Sequence, residues 1–294
     1  RFNQLFFKFF ISVVVYSGLG NYNTGVAFTH GLPAYLDSSS HVFVTSFFLD
    51  EYYKTMVSDG KKIKILGIIP ARGGSKGIPR KNIAPVLGKP LIYYTIRAAQ
   101  RSRLLDGFIV STDDKKIADI AESFGADAPF LRPKKFARDI SPDTEFLKHA
   151  LLWLEKHRGW RPEIIVNLRP TAPLRTAGDI DRVIKLMLAT GCDSVRTVSM
   201  PMNNPFKMWH VDEASLKIRP LLPTKHFVAI GTDVPRQLLP NIYWQNGLVD
   251  ATRAKFIRQG KIYGADIRGV ITDPERAVDI NDPEDLKTAG RLLR

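Results

Sequence analysis

Residues 63–82 read Ile-Lys-Ile-Leu-Gly-Ile-Ile-Pro-Ala-Arg-Gly-Gly-Ser-Lys-Gly-Ile-Pro-Arg-Lys-Asn. An apolar stretch over 63–69 runs directly into a glycine-rich, cationic loop. Such an uninterrupted apolar run suits a strand buried on both faces of a sheet. Gly73, Gly74 and Gly77 remove side chains, so backbone N–H groups can approach phosphate oxygens. Arg72, Lys76, Arg80 and Lys81 add fixed positive charge, and Arg72 can grip phosphate with both prongs of its guanidinium. A plain strand-to-helix connection needs flexible residues but not four cations within ten positions. The loop lacks the G-x-x-x-x-G-K-[ST] spacing, because Lys76 precedes the last glycine. It is not G-x-G-x-x-G either.

Working outward, strands and helices alternate. Pro90 opens a helix at its first turn, continued at helical spacing by Ile92, Tyr93, Ile96 and Ala99. Residues 107–111 read as a strand. Asp113 or Asp114 then caps a helix through Ile117, Ile120, Ala121 and Phe124, ended by Gly125. Residues 129–131 read as a third short strand, and 144–157 as a helix with Phe146, Leu147, Ala150, Leu151 and Leu154 inward. A strand over 164–168, a helix over 179–188 capped by Thr176, and a strand over 194–198 follow. Residues 263–267 return as a strand and 283–293 close the chain as a helix. This rhythm predicts an α/β fold with a mostly parallel sheet covered by helices. Ligands in such sheets bind at the carboxyl ends of strands. Those ends carry Arg72 to Lys81, Ser111-Thr112-Asp113 and Arg169-Pro170-Thr171, which together form the candidate site.

Between 200 and 245 the texture changes. Prolines recur (Pro201, Pro205, Pro220, Pro223, Pro235, Pro240), and Phe206, Trp209, Phe227, Tyr243 and Trp244 supply aromatics. Residues 207–211 and 216–219 flank Asp212-Glu213-Ala214, a hairpin signal. The stretch reads as an excursion from the sheet, either packing its apolar side chains on a second subunit or folding back as a lid.

The chain has 294 residues, is 44% apolar and carries a net charge of +14. The first 60 residues hold Arg1, Lys8 and Lys54 against Asp37, Asp50, Glu51 and Asp59, so the positive surplus lies after them. A surplus of this size favours anionic partners. The cations are interleaved with acids and form no dense run, which favours a small anionic substrate over nucleic acid. Cys192 is the single cysteine, so an intramolecular disulfide and a cysteine-rich zinc site are both excluded. This fits a reducing, cytoplasmic setting. The six histidines show no metal-ligand spacing.

Residues 1–55 read as foreign to the rest. The run over 5–16 is apolar and aromatic but shorter than the roughly 20 residues of a membrane span. A signal peptide is one reading, without a convincing small-residue cleavage site. The preferred expectation is that Met56 is the natural start and that 1–55 is an added leader outside the fold, leaving 56–294 as the working domain.

Ala-Arg-Gly-Gly-Ser-Lys-Gly-Ile-Pro-Arg-Lys-Asn at 71–82 resembles the signature of the acylneuraminate cytidylyltransferases. The likeness extends to Ile109-Val110-Ser111-Thr112-Asp113, to Leu131-Arg132-Pro133 with Ala137 and Asp139, and to Arg169-Pro170-Thr171-Ala172-Pro173-Leu174-Arg175, similar to the family's Gln-Pro-Thr-Ser-Pro-Leu-Arg. Pro235-Arg236-Gln237 with Leu239-Pro240, Asn246-Gly247 and Asp279-Ile280-Asn281 complete it. The resemblance covers residue 62 to the end. It implies a Rossmann-like, three-layer, mostly parallel sheet of the nucleotide-diphospho-sugar transferase type, with 200–245 as an inserted dimerisation and sugar-binding segment. It also implies a homodimer and Mg²⁺-dependent transfer of CMP from CTP to the anomeric hydroxyl of a 2-keto sugar acid.

The same resemblance implies roles for individual residues. Arg72, Gly74, Ser75, Lys81 and Asn82 would serve the triphosphate and neighbouring groups, Lys81 stabilising charge near the bridging oxygen. Lys76 is either another phosphate contact or a solvated cation. Arg132, Asp143 and Asp113 would serve base and ribose. Arg169, standing where relatives have glutamine, would serve the sugar with Thr171, Arg236, Gln237, Tyr243 and Asn246. Asp279 would bind Mg²⁺. Asn281 replaces a second aspartate and offers one neutral oxygen, or else caps the last helix. The substrate stays open among sialic, legionaminic and pseudaminic acids. A related sugar nucleotidyltransferase and a nucleotide-binding homologue without catalysis are the alternatives.

Overall fold

A computed structural model describes residues 64–222 and 235–294, and the backbone of two short strands before them, β1 (Ala27–Thr29) and β2 (Leu32–Ala34). Those two strands pair antiparallel. Contacts divide the chain into two units, before and after Phe48/Leu49. The rest of the expected leader lies outside the described residues.

The strand that heads the glycine loop, β3 (Ile65–Pro70), is interior to a six-stranded sheet. Its alternate residues face two different cores. Ile65 and Ile69 join Ile92, Ile96 and Val110 on one side, while Leu66 and Ile68 join Phe146, Leu151 and Ile165 on the other. Each such fully buried side chain contributes about 1.5–3 kcal/mol, so β3 is among the most rigidly held parts of the molecule.

Elements follow in the order β4 (Pro85–Val86), β5 (Lys89–Pro90), α1 (Leu91–Arg101), β6 (Gly107–Ser111), α2 (Lys115–Ser123), α3 (Asp143–Arg158), β7 (Ile164–Asn167), α4 (Ala177–Thr190) and β8 (Ser194–Ser199). Then come β9 (Trp209–Val211), β10 (Ile218–Pro220), β11 (Trp244–Arg253), α5 (Ala254–Arg258), β12 (Ile267–Ile271) and α6 (Pro283–Leu292). The sheet order is β12-β8-β11-β7-β3-β6. All neighbours are parallel except at β11, which runs against both β7 and β8. Helices α1, α2 and α4 supply one core, α3 and α5 the other, giving three layers.

Several local expectations change. Residues 129–131 form no strand; single bridges, Ile109 to Asp127 and Thr112 to Leu131, hold that segment beside β6 instead. The late strand is 267–271 rather than 263–267. Pro90 sits just before the first helical residue, because it already pairs across the β4–β5 ribbon. Asp114, not Asp113, caps α2 by accepting from the Lys116 and Ile117 amides. Asn281 is not the cap of α6; Asp282 is, in a reciprocal box with Asp285. Thr176 caps α4 in the same reciprocal way with Asp179.

The excursion is present as a separate β9–β10 hairpin in which Ile218 opposes Val211. Its end falls earlier than 245, since Trp244 and Gln245 already belong to β11. That strand passes through Asn246-Gly247, a pair that reads as turn chemistry. Here Gly247, at φ 69°, makes an irregularity inside the strand, and the register with β8 shifts between Gln245 and Asp250.

A cleft at the strand ends

Because β3, β6 and β7 run parallel, their carboxyl ends open on one edge of the sheet. A cleft of about 470 Å³ lies there, lined by Arg72, Ser75, Lys81 and Asn82 from the glycine loop, Arg132 and Asp143 beyond β6, and Arg169 and Thr171 after β7.

The glycine loop is braced from three directions. The Asp113 carboxylate accepts from the Gly73 amide at 2.9 Å. The buried Asn82 amide donates to the Arg72 carbonyl at 2.9 Å, closing the loop on itself. The Lys81 ammonium donates to the Ile280 carbonyl at 2.6 Å. A methyl group on Gly77 would stand 2.5 Å from the Asn281 carbonyl, so only glycine lets the two segments approach. A methyl group on Gly74 would meet nothing within 4 Å, so open space adjoins the loop at that residue. Ile78 and Ile280 share one apolar cluster with Leu91 and Ala289. The Ile280 amide in turn donates to the Thr171 carbonyl at 2.8 Å. Glycine loop, Arg169–Thr171 turn and Asp279–Asn281 turn are thus one connected assembly.

Arg72, Lys76 and Lys81 bring three cations from the loop into the lining of the cleft. Burial holds Lys81 below the ordinary lysine range, against the pull of Asp279 and with the push of Arg72. Arg132 is 5% exposed, donates to the Ser111 hydroxyl and carbonyl, and stacks over the Phe146 ring. Burial draws its pKa down to about 10, opposed by Asp113 and Asp143, which leaves it charged at neutral pH. Asp143 does not cap α3 but begins it. Its carboxylate accepts from Asn167 at 3.1 Å and from Arg169 at 2.5 Å.

Arg169 is committed within the protein. Its second nitrogen donates to Asp250 at 2.6 Å. Burial alone would lower its pKa, but the two carboxylates outweigh that and raise it. A guanidinium so paired is not free to take the carboxylate of a sugar acid. The Asn246 amide is likewise buried, donating to Ser199 and Thr272 and accepting from Leu248. Tyr243 and Gln237 are exposed and are not among the residues lining the cleft. Arg236 begins a short 3-10 turn ending at Leu238.

Asp139 carries a role that the sequence does not disclose. Its carboxylate bridges Arg72 at 2.8 Å and Lys76 at 2.9 Å. The hydrogen bond from Lys76, with the charges of Lys76 and Arg72, holds its pKa below the usual range. It occupies two of the cleft's cations, and such half-exposed pairs yield easily to a polyanion. Asp139→Asn is therefore expected to tighten the binding of inorganic tripolyphosphate about threefold, since exposed pairs are weak competitors. Isothermal titration checks this; weaker binding in the variant would show that Asp139 organises the loop instead.

Among the described residues, no group of three or more His, Cys, Asp or Glu side chains could hold a metal. Asp279 is an exposed carboxylate whose Oδ2 accepts from the Asn281 amide at 3.2 Å. A single exposed carboxylate next to the glycine loop fits Mg²⁺, which takes most of its ligands from water and from a bound ligand's oxygens.

Residues 66–248 match the sequence profile of a family described as cytidylyltransferase. The chain belongs to that family. It is 32% identical over 231 residues to the N-acylneuraminate cytidylyltransferase of Escherichia coli, a match covering 78% of this chain and 52% of that protein. The chain thus spans about half the length of that relative. It is 31% identical over 236 residues to the CMP-N,N'-diacetyllegionaminic acid synthase of Legionella pneumophila, covering 79% of this chain and 97% of the relative. Among solved structures, a CMP:2-keto-3-deoxy-manno-octonic acid synthetase complexed with CTP superposes with a TM-score of 0.54 at 17% identity, over 78% of this chain and 98% of that one. This last likeness concerns the fold alone, and it agrees with the three-layer sheet. No helix among the described residues is long and apolar enough to cross a membrane.

Proposed function

We propose that this cytidylyltransferase moves CMP from CTP to the anomeric hydroxyl of a 2-keto sugar acid and releases pyrophosphate. One observation carries the reading. Arg72, Lys76, Lys81 and the buried Arg132 line a single cleft together with the carboxylate of Asp143 and the rings of Phe136 and Phe146. A triphosphate matches the cations, and a base and ribose match the acidic and aromatic part of the lining. The cleft is also of ordinary size for a small ligand.

Attack at the α-phosphorus places growing negative charge on the departing pyrophosphate. Fixed cations aimed at that charge lower the barrier most when they need no rearrangement. Arg72 would grip terminal phosphate oxygens. Lys81, which donates to the Ile280 carbonyl, would meet the bridging oxygen. Mg²⁺ held by Asp279 with help from Asn281 would neutralise phosphate charge as a Lewis acid. The sugar acid would lie on the side of Thr171, Tyr243, Arg236 and Gln237, with a cation other than Arg169 for its carboxylate. The two relatives act, by their names, on different sugar acids, so the substrate class is drawn no more finely.

We read the protein as a cytoplasmic homodimer. Support for the dimer comes from the β9–β10 hairpin, which leaves Trp209, Val211, Leu216 and Ile218 exposed outside the main sheet, Leu216 at 77%.

The deciding assay is pyrophosphate release with each of the four nucleoside triphosphates, Mg²⁺ and a panel of 2-keto sugar acids. Release with CTP alone, dependent on one class of sugar acid, is the expected result. Equal release with another triphosphate, or release driven by a sugar 1-phosphate, would overturn the reading.

A further inference from the structure

We propose that Asp250 is a positioning residue for the nucleotide half of the cleft, acting through Arg169 on Asp143. This rests on reading the cleft as the CTP site.

Strand register brings the parts together. On antiparallel β11, Asp250 stands directly opposite Asn167 of β7 and opposite Arg196 of β8. Directly opposed residues share a sheet face. The three side chains therefore sit together, next to the turn where Arg169 leaves β7. Asp250 is 7% exposed and does not line the cleft, so it reaches a ligand only through a neighbour. That neighbour is Arg169, whose Nη1 donates to Asp250 Oδ2 at 2.6 Å and whose Nη2 donates to Asp143 Oδ2 at 2.5 Å. The planar guanidinium makes the two bonds interdependent, because rotating toward one carboxylate turns it from the other.

The backbone of Arg169 is independently fixed. Arg175, fully buried, donates to the Arg169 carbonyl at 2.6 Å and to the Leu248 carbonyl. Loss of Asp250 would therefore release the side chain and not the turn. Asp250 is itself oriented by Gln245 Nε2 at 3.2 Å and by Arg196 at 3.6 Å. At the other end, the bonds from Arg169 and Asn167 both arrive at Asp143 Oδ2, leaving Oδ1 to accept from a ligand hydroxyl or amine.

The test is a double-mutant cycle read by isothermal titration of CTP in the absence of sugar acid, with thermal melting alongside. Asp250→Asn removes the charge at constant shape. It is expected to raise the Kd for CTP about tenfold, while Asp143→Asn alone does the same and the double variant loses no more, as expected of residues acting in series. The KM for sugar acid in Asp250→Asn stays within about twofold of wild type, a split that a general packing defect would not produce. Arg169→Lys, which keeps charge but cannot fork between two carboxylates, is a second entry to the same linkage and is expected to match Asp250→Asn. Lowered melting temperature with an unchanged CTP Kd would reduce Asp250 to a brace and overturn the inference. Multiplying losses in the double variant would do the same. Wild-type protein that binds none of the four triphosphates would overturn the reading of the cleft, and the inference with it.

Discussion

Arg72→Ala is expected to lower kcat/KM for CMP transfer by about 10³-fold, the scale on which removal of one preorganised donor at a developing negative charge is felt. Its position explains why the loss should be large. The residue directly follows Ala71, whose amide bonds to the Ser111 carbonyl, so Arg72 leaves the sheet from an anchored backbone. Its carbonyl is pinned by Asn82 and its guanidinium is half-exposed in the cleft. Of the other arginines lining the cleft, Arg132 donates to Ser111, Arg138 to the Lys135 carbonyl, and Arg169 to Asp250 and Asp143. Lys76 is a more exposed point charge, and Lys81 is already engaged with Ile280. The fold should survive, because the ion pair lost among the described residues is the half-exposed one to Asp139, and such pairs contribute little to stability. Arg72→Lys separates charge from geometry. It should recover part of the lost rate, but not all of it, because an ammonium cannot bind two phosphate oxygens in one plane. Steady-state kinetics beside thermal melting decide the matter. Near wild-type turnover in Arg72→Ala would remove the glycine loop from the chemistry.

The parallel strands β3, β6, β7 and β8 were legible because each is an apolar run between turn signals, and burial on both faces leaves little ambiguity. The glycine loop was legible for a different reason: a surplus of cations has no structural need. Strand β11 was not. It carries Asn246-Gly247 and polar residues, and it joins the sheet antiparallel only because β7 and β8 leave a gap between them. Local composition does not encode that gap. The same blindness hid Asp250, whose importance comes from standing across from Asn167 and Arg196, residues far away in sequence. Arg169 illustrates the limit from the other side. As a cation at a strand end it read as a substrate contact, yet two carboxylates brought in by other elements take up its charge. Asn82 and Asp113, which the resemblance gives to the nucleotide, both take part in bracing the loop. Residue type does not disclose such partners; they come from the fold.

Asp279, beside the cleft-lining Asn281 though not itself in the lining, should be as sensitive as any cleft residue: Asp279→Ala is expected to lower kcat by about 10²–10⁴-fold at fixed Mg²⁺, in line with the loss of charge stabilisation at a transferring phosphoryl group. The carboxylate lies in a turn whose centre, Ile280, is fully buried, so its backbone is fixed against the glycine loop. It is exposed and, among the described residues, accepts from Asn281 at 3.2 Å, which leaves room for a hard cation. Adding a chelator to wild-type protein should abolish transfer, and added Mg²⁺ should restore it. In Asp279→Ala, raising Mg²⁺ should recover little. A direct measure of Mn²⁺ binding in the presence of CTP distinguishes a lost metal site from a lost phosphate site. Asn281→Asp supplies the complementary test. A second carboxylate beside the first raises the negative charge available to a cation, so half-maximal activity should move to lower Mg²⁺ concentration. The same change sets two like charges about a hydrogen-bond length apart when no metal is bound, so without metal the variant should melt at a lower temperature than wild type. If Asn281→Asp leaves the Mg²⁺ dependence where it was, and Asp279→Ala still binds Mn²⁺ with CTP as tightly as wild type, the metal is held elsewhere, and the Asp279–Asn281 turn serves only to anchor Lys81.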